Sequence, residues 1–155
     1  MIQIAGGEAM KTKWKRDNFT VTTDLSQFDM DFVVTSLQSA WRKGASRESI
    51  EQAFANSLCF GLFDGEKQIG FVRSVTDRKF VSWVCDLFLA LSYRGKGLGE
   101  RLMECVKNHP DLVHTRLVFS SVPESEAFYK HIGFEPLERG YSMSPRSTEA
   151  CSPSP

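Results

Sequence analysis

The sequence predicts one α/β domain, more strictly α+β, in which a mixed, mostly antiparallel sheet carries helices on both faces. Three apolar runs, at 58–63, 68–75 and 80–91, follow one another with short polar turns between them, which is typical of an antiparallel meander. The third run leads through a glycine-rich turn into an amphipathic helix and a further apolar run. A strand–helix–strand connection of this kind requires a parallel crossover. At 155 residues, the chain can bury a core of its own.

The N-terminal part of the chain is predicted to supply one short strand and two helices. Residues 1–16 have no clear periodicity and are expected to form a flexible arm, which the strand at 18–22 follows. Residues 24–42 place apolar side chains at intervals of four or five, which indicates a helix. Gly44 ends this helix, and Ser46 is in position to cap a second one.

The remaining elements follow from turn and capping signals. Asp64-Gly65, between the first two apolar runs, predicts a hairpin. After the glycine turn we expect a helix to about Asn108 and a strand at 115–120. Residues 121–124 read as a capping box with proline in the first turn, and Gly133 ends the helix that they begin.

The domain is expected to occupy residues 17–144. One or two closing strands at 134–144 would complete it, and the tail at 145–155 is expected to be disordered because it is rich in Ser-Pro pairs. The chain contains no internal repeat and no linker that would divide this domain.

Composition restricts the classes of partner. Lys plus Arg and Asp plus Glu are equal at 19 each, so no overall field draws the protein to nucleic acid. No apolar run approaches the length of a membrane span, and the start lacks the apolar stretch of a signal peptide. We therefore expect no nucleic-acid partner and no membrane partner.

The cysteines and histidines do not predict a metal site. The four cysteines show no CxxC spacing, and the three histidines form no HxxxH pair. Cys59, Cys85 and Cys105 lie within apolar patterns, where a small buried thiol is the simplest interpretation. No disulfide framework is indicated, which suits a reducing cytoplasm. We expect a cytoplasmic protein without a metal.

The stretch most informative about function is the turn Arg94-Gly95-Lys96-Gly97-Leu98-Gly99, which joins the third apolar run to its helix. Glycines permit positive φ and leave backbone N–H groups uncovered. A helix start adds partial positive charge and unpaired donors. The turn can therefore bind phosphate oxygens, although close packing alone would also account for glycines here.

Two familiar phosphate-binding motifs are excluded. The dinucleotide fingerprint G-x-G-x-x-G would need its last glycine one residue after Gly99, and an acidic residue about twenty positions later, where the apolar segment 117–120 lies. A nucleoside triphosphate loop needs Gly-Lys followed by Ser or Thr, whereas Gly97 follows Lys96. A nucleotide-binding domain of another type stays as an alternative.

The turn resembles the pyrophosphate-binding turn of the GNAT superfamily of N-acetyltransferases, with Arg94, Gly97 and Gly99 in the family's R-x-x-G-x-G pattern. A second block at 127–134, AFYKHIGF, resembles the family's A-x-Y-x-x-x-G-F segment and stands at the expected separation. The order of elements from about residue 19 to 143 agrees, and the C-terminal half is especially similar to small bacterial members of unassigned substrate. The resemblance implies a GNAT-like acyl-CoA N-acyltransferase fold with acetyl-CoA as co-substrate.

In this family the strand before the turn and the strand after the helix diverge, and the pantetheine arm of acetyl-CoA lies in the gap. The resemblance implies backbone contacts to that arm from the end of the third apolar run, where the alternative is plain core. It also implies that backbone N–H groups of the turn bind the pyrophosphate, with added charge from two basic side chains. The implied cofactor-binding residues are Leu87, Phe88, Leu89, Arg94, Gly95, Lys96, Gly97, Leu98, Gly99 and Tyr129.

Tyr129, in the second block, is the implied general acid. A phenol with a pKa of about 10 is protonated at neutral pH and can give its proton to a departing thiolate. The alternative is an amphipathic core tyrosine with its hydroxyl at the surface. Many relatives have Asn seven residues earlier, where this chain has Val122, and this difference removes one polar contact to the cofactor.

Asp86 is the candidate general base, because it is the only acidic residue within 80–91. Apolar surroundings would raise its pKa, which suits removal of a proton from the acceptor, directly or through water. A structural role, in which the carboxylate bonds a nearby loop, is at least as well supported, and Glu126 is a weaker candidate. Direct attack by the amine is implied, so Cys85 and Cys105 are not expected to act as nucleophiles.

The expected function is transfer of an acetyl group from acetyl-CoA to a primary amine, on a small molecule or a peptide, in a ternary complex. The acceptor pocket is expected between the two N-terminal helices, their connection at 41–47 and the segment near Tyr141. Trp41 either lines that pocket or, more simply, faces the core. A non-catalytic acyl-CoA sensor is the alternative function. The sequence does not determine the oligomeric state, and a homodimer is compatible with the resemblance because family members often pair.

Overall fold

The structure, a computed structural model, describes residues 11–137. Six strands form one sheet in the order β1-β2-β3-β4-β5-β6. All neighbouring strands are antiparallel except β5 and β6, which are parallel. The predicted mixed, mostly antiparallel sheet and its parallel crossover are therefore confirmed. The strands are β1 (Lys13–Arg16), β2 (Phe19–Thr22), β3 (Leu58–Asp64), β4 (Lys67–Thr76), β5 (Val81–Leu89) and β6 (Arg116–Val118).

The described residues contain four α-helices, and the chain divides into two compact units after Ser120. All six strands and the first three helices belong to the first unit, and the last helix belongs to the second. The helices are α1 (Met30–Ala40), α2 (Arg47–Ala55), α3 (Leu98–Lys107) and α4 (Glu126–His131). None of the helices in residues 11–137 is long and apolar enough to cross a membrane.

Helices pack on both faces of the sheet in the first unit, as predicted. Cys59 of β3 belongs to a buried cluster with residues of α1 and α2. The next residue, Phe60, contacts His109 just after α3, with ring centroids 5.5 Å apart. Because successive strand residues point to opposite faces, α1 and α2 cover one face and α3 covers the other. The fully buried Leu102 and Met103 belong to the α3 side.

Part of the predicted flexible arm at 1–16 is wrong, because its last four residues form strand β1. Lys13–Arg16 pairs with β2 along its whole length, and the ring of Trp14 stacks on Phe60 at 6.1 Å. The strand has only one apolar residue among four, Lys-Trp-Lys-Arg, so alternation could not reveal it. The other predicted boundaries of the arm, the closing segment and the tail fall largely on 1–10 and 138–155, outside the described residues.

Local capping decides where the helices begin. The Ser46 side chain accepts a hydrogen bond from Ser49 N at 3.1 Å, which confirms the predicted start of α2. Helix α1 begins later than predicted, because the carboxylate of Asp29 accepts from Phe32 N at 3.0 Å, and a single 3-10 turn precedes it. The predicted capping box at 121–124 is wrong: a 3-10 turn occupies Pro123–Ser125, and α4 starts without a side-chain cap.

Candidate functional site

The parallel pairing of β5 with β6 ends after three residues. Val81, Ser82 and Trp83 have partners in β6, and β5 then continues to Leu89 beside β4 alone. Among the described residues, β6 offers no partner to the segment Val84–Leu89. An unpaired strand edge presents backbone N–H and C=O groups, and this edge contains the predicted pantetheine contacts at 87–89.

A bulge distorts β5 just before that segment. Phe71 pairs with Phe88 and Arg73 pairs with Cys85, so two residues of β5 stand opposite one residue of β4. The first of the two, Asp86, has a φ of +56°, in the left-handed region that Asp tolerates better than most residues. Bulges bend a strand and redirect its side chains. Here the carboxylate of Asp86 reaches the C-terminal end of α1.

Asp86 lies at the centre of a buried ion cluster. Trp41 Nε1 donates to its Oδ1 at 2.8 Å, and Arg42 Nη2 donates to the same oxygen at 3.1 Å. Arg73 donates to Oδ2 through Nε and Nη2, each at 2.9 Å. The Asp86 side chain is only 3% exposed, so the carboxylate draws its stabilisation from these donors rather than from water.

These contacts reverse the expected pKa of Asp86. Burial raises the pKa, but the hydrogen bond from Trp41 and the charges of Arg73 and Arg42 together outweigh burial and hold the pKa below its usual value. The expectation of a raised pKa was wrong, because the sequence did not reveal the two arginines. The arrangement favours the structural alternative, in which Asp86 holds neighbouring side chains, and its role as a base stays a prediction.

Trp41 does not face the core. Its side chain is half exposed, its ring centroid lies 6.3 Å from that of Phe88, and its N–H is directed to Asp86. An indole that is half exposed to solvent and donates a hydrogen bond through its N–H is typical of a surface or binding-site position. The interpretation of Trp41 as a core residue is therefore wrong.

The glycine turn is open and conformationally demanding. Gly95 and Gly97 each have a φ of +73°, and a Cβ added at either would meet no atom within 4 Å. Close packing therefore does not explain these two glycines, whereas the backbone conformation does. The first hydrogen bond of α3 runs from Arg101 N to Gly97 O at 3.1 Å, so the N–H groups of Leu98 and Gly99 have no acceptor inside the helix.

Two basic side chains are held at the same turn. Arg94 Nε donates to Leu89 O at 3.0 Å, and its guanidinium lies 5.8 Å from the ring centroid of Phe88. Lys96 Nζ lies 5.3 Å from the ring centroid of Tyr93. Backbone donors at a helix start together with two cations form the set that a diphosphate requires. The residues present therefore fit the predicted pyrophosphate group.

Tyr129 lies in α4, in the second unit. Its ring makes edge contacts with Phe128 and Phe134, at centroid distances of 5.1 and 6.1 Å. Burial raises the pKa of Tyr129, which keeps the phenol protonated at neutral pH. Glu126 forms an ion pair with Lys130 at 2.6 Å, and that hydrogen bond lowers its pKa. The pairing makes Glu126 a poor base.

Residues 21–143 match the sequence model of the acetyltransferase (GNAT) domain. The chain belongs to the GNAT acetyltransferase family. A candidate acetyltransferase from Gibberella zeae is 22% identical over a match of 147 residues, and the match covers 79% of this chain and 82% of the relative. The crystal structure of a candidate GNAT acetyltransferase from Xanthomonas campestris pv. campestris is 28% identical, with a TM-score of 0.74 over 83% of this chain and 96% of that one.

An aminoglycoside N-acetyltransferase crystallised in complex with CoA has the same fold, with a TM-score of 0.63 and 14% identity over 93% of this chain and all of that one. The fold class predicted for this GNAT domain is thus confirmed by solved structures as well as by its own strand order.

The thiols of this GNAT domain are poorly suited to nucleophilic attack. Burial raises the pKa of Cys59 to about 12 and that of Cys105 to about 11, and it also raises the pKa of Cys85. A thiol with a raised pKa supplies little thiolate at neutral pH. Within residues 11–137, no group of three or more His, Cys, Asp or Glu could hold a metal ion.

Two arginines of the site escaped the sequence analysis. Arg73 shares a strand face with the buried Phe71, and a charged residue on such a face could have signalled a buried ion pair. Arg42 follows α1 in an exposed connection and carried no signal. Both become recognisable only when the bulge at Asp86 brings three separate segments of the chain together.

Proposed function

We propose that this protein transfers the acetyl group of acetyl-CoA to a primary amine by direct attack in a ternary complex. The observation that carries the proposal is the unpaired end of β5, which leads through a 3-10 turn at Leu91–Tyr93 into the glycine turn. Family membership supports acetyl transfer, and the CoA complex of the aminoglycoside enzyme shows that the fold accommodates this coenzyme.

The cofactor would be bound mainly by backbone atoms. Leu87 and Phe88 would offer peptide groups to the pantetheine arm, while the carbonyl of Leu89 is already bound by Arg94. The turn from Gly95 to Gly99 would bind the pyrophosphate through its N–H groups. When bound, acetyl-CoA supplies an activated carbonyl, and the protein has to orient it and exclude water.

The reaction forms one bond and breaks another. The amine nitrogen attacks the thioester carbonyl, a C–N bond forms, and the C–S bond breaks as the electron pair passes to sulfur. Tyr129 would protonate the departing thiolate, since its raised pKa keeps the phenol protonated at neutral pH. The nitrogen attacks as the neutral amine, and the one proton that it then loses passes to water. Because Asp86 has a lowered pKa, we propose that it positions Trp41 and the arginines rather than accepting this proton.

The decisive experiment measures CoA release from acetyl-CoA across a panel of primary amines, for the wild type and for Tyr129→Phe. An acid role predicts that kcat falls by roughly 10²- to 10⁴-fold in the variant, with an unchanged Kd for CoA. Equal rates for both proteins would exclude Tyr129 as the acid. Thermal stabilisation by ATP but not by CoA would contradict the acetyltransferase proposal altogether.

A second candidate is a non-catalytic acyl-CoA sensor. This alternative is favoured because both carboxylate oxygens of Asp86 already accept hydrogen bonds. The described residues are then left without an evident base near β5. A sensor would bind CoA and release none from acetyl-CoA with any amine, and Tyr129→Phe would keep its affinity. The cytoplasmic location and the pairing as a homodimer stay predictions.

A further inference from the structure

A cavity of about 190 Å³ lies where α1 and α2 meet β4 and β5. Its apolar wall is buried and comes from Leu37, Ile50 and Phe54. Its polar lining comes from four side chains. These are Arg42, Ser49, Arg73 and Asp86. Arg42 and Ser49 are exposed and form the mouth, whereas Asp86 and Arg73 lie at the base with side chains 3% and 11% exposed.

The carboxylate at the base of the cavity is fully engaged. Five nitrogen donors surround Asp86: one from Trp41, two from Arg42 at 3.1 and 3.3 Å, and two from Arg73 at 2.9 Å. A further cation would have to displace one of these donors. Asp86 is therefore unavailable to attract a positively charged substrate into the cavity.

The two guanidinium groups, less one carboxylate, leave a surplus of one positive charge in the lining. Each guanidinium nitrogen of Arg73 already has a partner, because its Nη1 also donates to Ser57 Oγ at 3.0 Å. Arg42 still has a nitrogen available to a ligand. Its side chain is 47% exposed, and within residues 11–137 its Nη1 has no hydrogen-bond partner. A planar guanidinium with donors to spare favours carboxylate or phosphate oxygens.

We propose that this cavity binds the acceptor through an oxyanion, a carboxylate or a phosphate, that the acceptor carries beside its amine. This inference rests on the proposed function and narrows its substrate class to anionic amines. Asp86 borders the cavity and immediately precedes the segment 87–89 that would hold the pantetheine arm. The volume equals that of about six waters in the liquid, so the cavity suits a head group of amino-acid size.

The test compares acceptors that differ only in the anionic group. Each amino acid is assayed beside its carboxamide and its decarboxylated amine, O-phosphoethanolamine beside ethanolamine, and spermidine as a polycation. The full chain is used, and CoA release and the mass of the acetylated product are both recorded. We expect kcat/KM to be at least tenfold higher for the anionic member of one series, and spermidine to be a poor acceptor.

Two matched variants test whether a preference for anionic acceptors comes from the cavity. Arg42→Gln should raise KM for the anionic acceptor about tenfold or more, while KM for acetyl-CoA and for the neutral acceptors stays the same. Arg78→Gln is the control, because the Arg78 side chain is also partly exposed, at 38%, but pairs with Asp111 outside the cavity. It should leave all these constants unchanged.

The outcomes separate this inference from the proposed function. Acetyl transfer without preference for anionic amines, or an equal loss for charged and neutral acceptors in Arg42→Gln, overturns the inference and leaves the acetyltransferase intact. CoA binding without turnover of any acceptor supports a sensor and overturns the inference. Absence of CoA binding in a titration of the wild type overturns the proposed function, and the inference with it.

Discussion

Two regions of the first unit carry positive charge, and they are built in different ways. The turn from Arg94 to Gly99 is exposed as far as Gly97 and buried at Leu98 and Gly99, and it offers mainly backbone donors set by two glycines at φ +73°. The cluster around Asp86 combines a buried carboxylate with half-exposed Trp41 and Arg42, and its side chains lie up to 45 positions apart in the chain. A site of the first kind depends on local backbone conformation, and one of the second kind depends on the whole fold. Substitutions should therefore change ligand binding in the turn and stability in the cluster.

The largest effect is expected from Asp86→Asn. Asparagine has the same shape and tolerates positive φ, but it leaves Arg73 buried without its counter-charge. Breaking a buried ion pair by removing one partner costs about 3–5 kcal/mol, and we expect about 3 kcal/mol because Arg42 is half exposed. Urea unfolding measures this loss. Asp31→Asn is the control, since Asp31 is 85% exposed and, among residues 11–137, pairs with Arg47 alone at the surface, where a pair contributes about 0–1 kcal/mol.

The difference in stability between the wild type and Asp86→Asn should depend on pH. The folded pKa of Asp86 lies below its usual value, so its stabilising contribution is fully present above the unfolded pKa of about 3.9 and is lost as the pH falls through the folded pKa. The stability gap between wild type and Asp86→Asn should therefore be constant from pH 7 to about 5 and shrink below about pH 4. Other acidic groups titrate in both proteins and cancel. A gap that stayed constant down to pH 2 would contradict the ion-pair account.

The same contrast between a local turn and a cluster of distant residues explains which features could be predicted from the sequence. The turn was predictable because its glycines and basic residues are contiguous, and the meander was predictable from Asp64-Gly65 and three apolar runs. The Asp86 cluster was not, because it depends on a bulge that no local pattern announces and on Arg42, which carried no signal. Strand β1 escaped detection since it is stabilised by Trp14 packing on Phe60 rather than by its own alternation.

A smaller effect is expected from Gly97→Ala in the turn. The added Cβ meets no atom within 4 Å, so the cost is the strain of an L-residue at φ +73°, about 1–2 kcal/mol. Relaxation of that strain would turn the N–H groups away from the phosphates and weaken CoA binding about tenfold, measured as Kd by calorimetry.

Gly44→Ala is the matched control for this change. Gly44 has a φ of +84°, and a Cβ added there would also meet no atom within 4 Å, but this glycine lies between α1 and α2. The variant should lose similar stability and keep the wild-type Kd for CoA. If both variants lost CoA affinity equally, the turn would have no special part in binding.

The smallest effect is expected from Trp41→Phe. The change keeps an aromatic ring beside Phe88 and removes only the N–H that Asp86 accepts at 2.8 Å. Because Trp41 is half exposed, water can replace this donor in part, and we expect a loss of about 1 kcal/mol. Trp83→Phe is the control, since Trp83 has a similar exposure of 47% and its Nε1 has no partner within residues 11–137. An equal loss in both variants would mean that ring size, and not the bond to Asp86, accounts for the change.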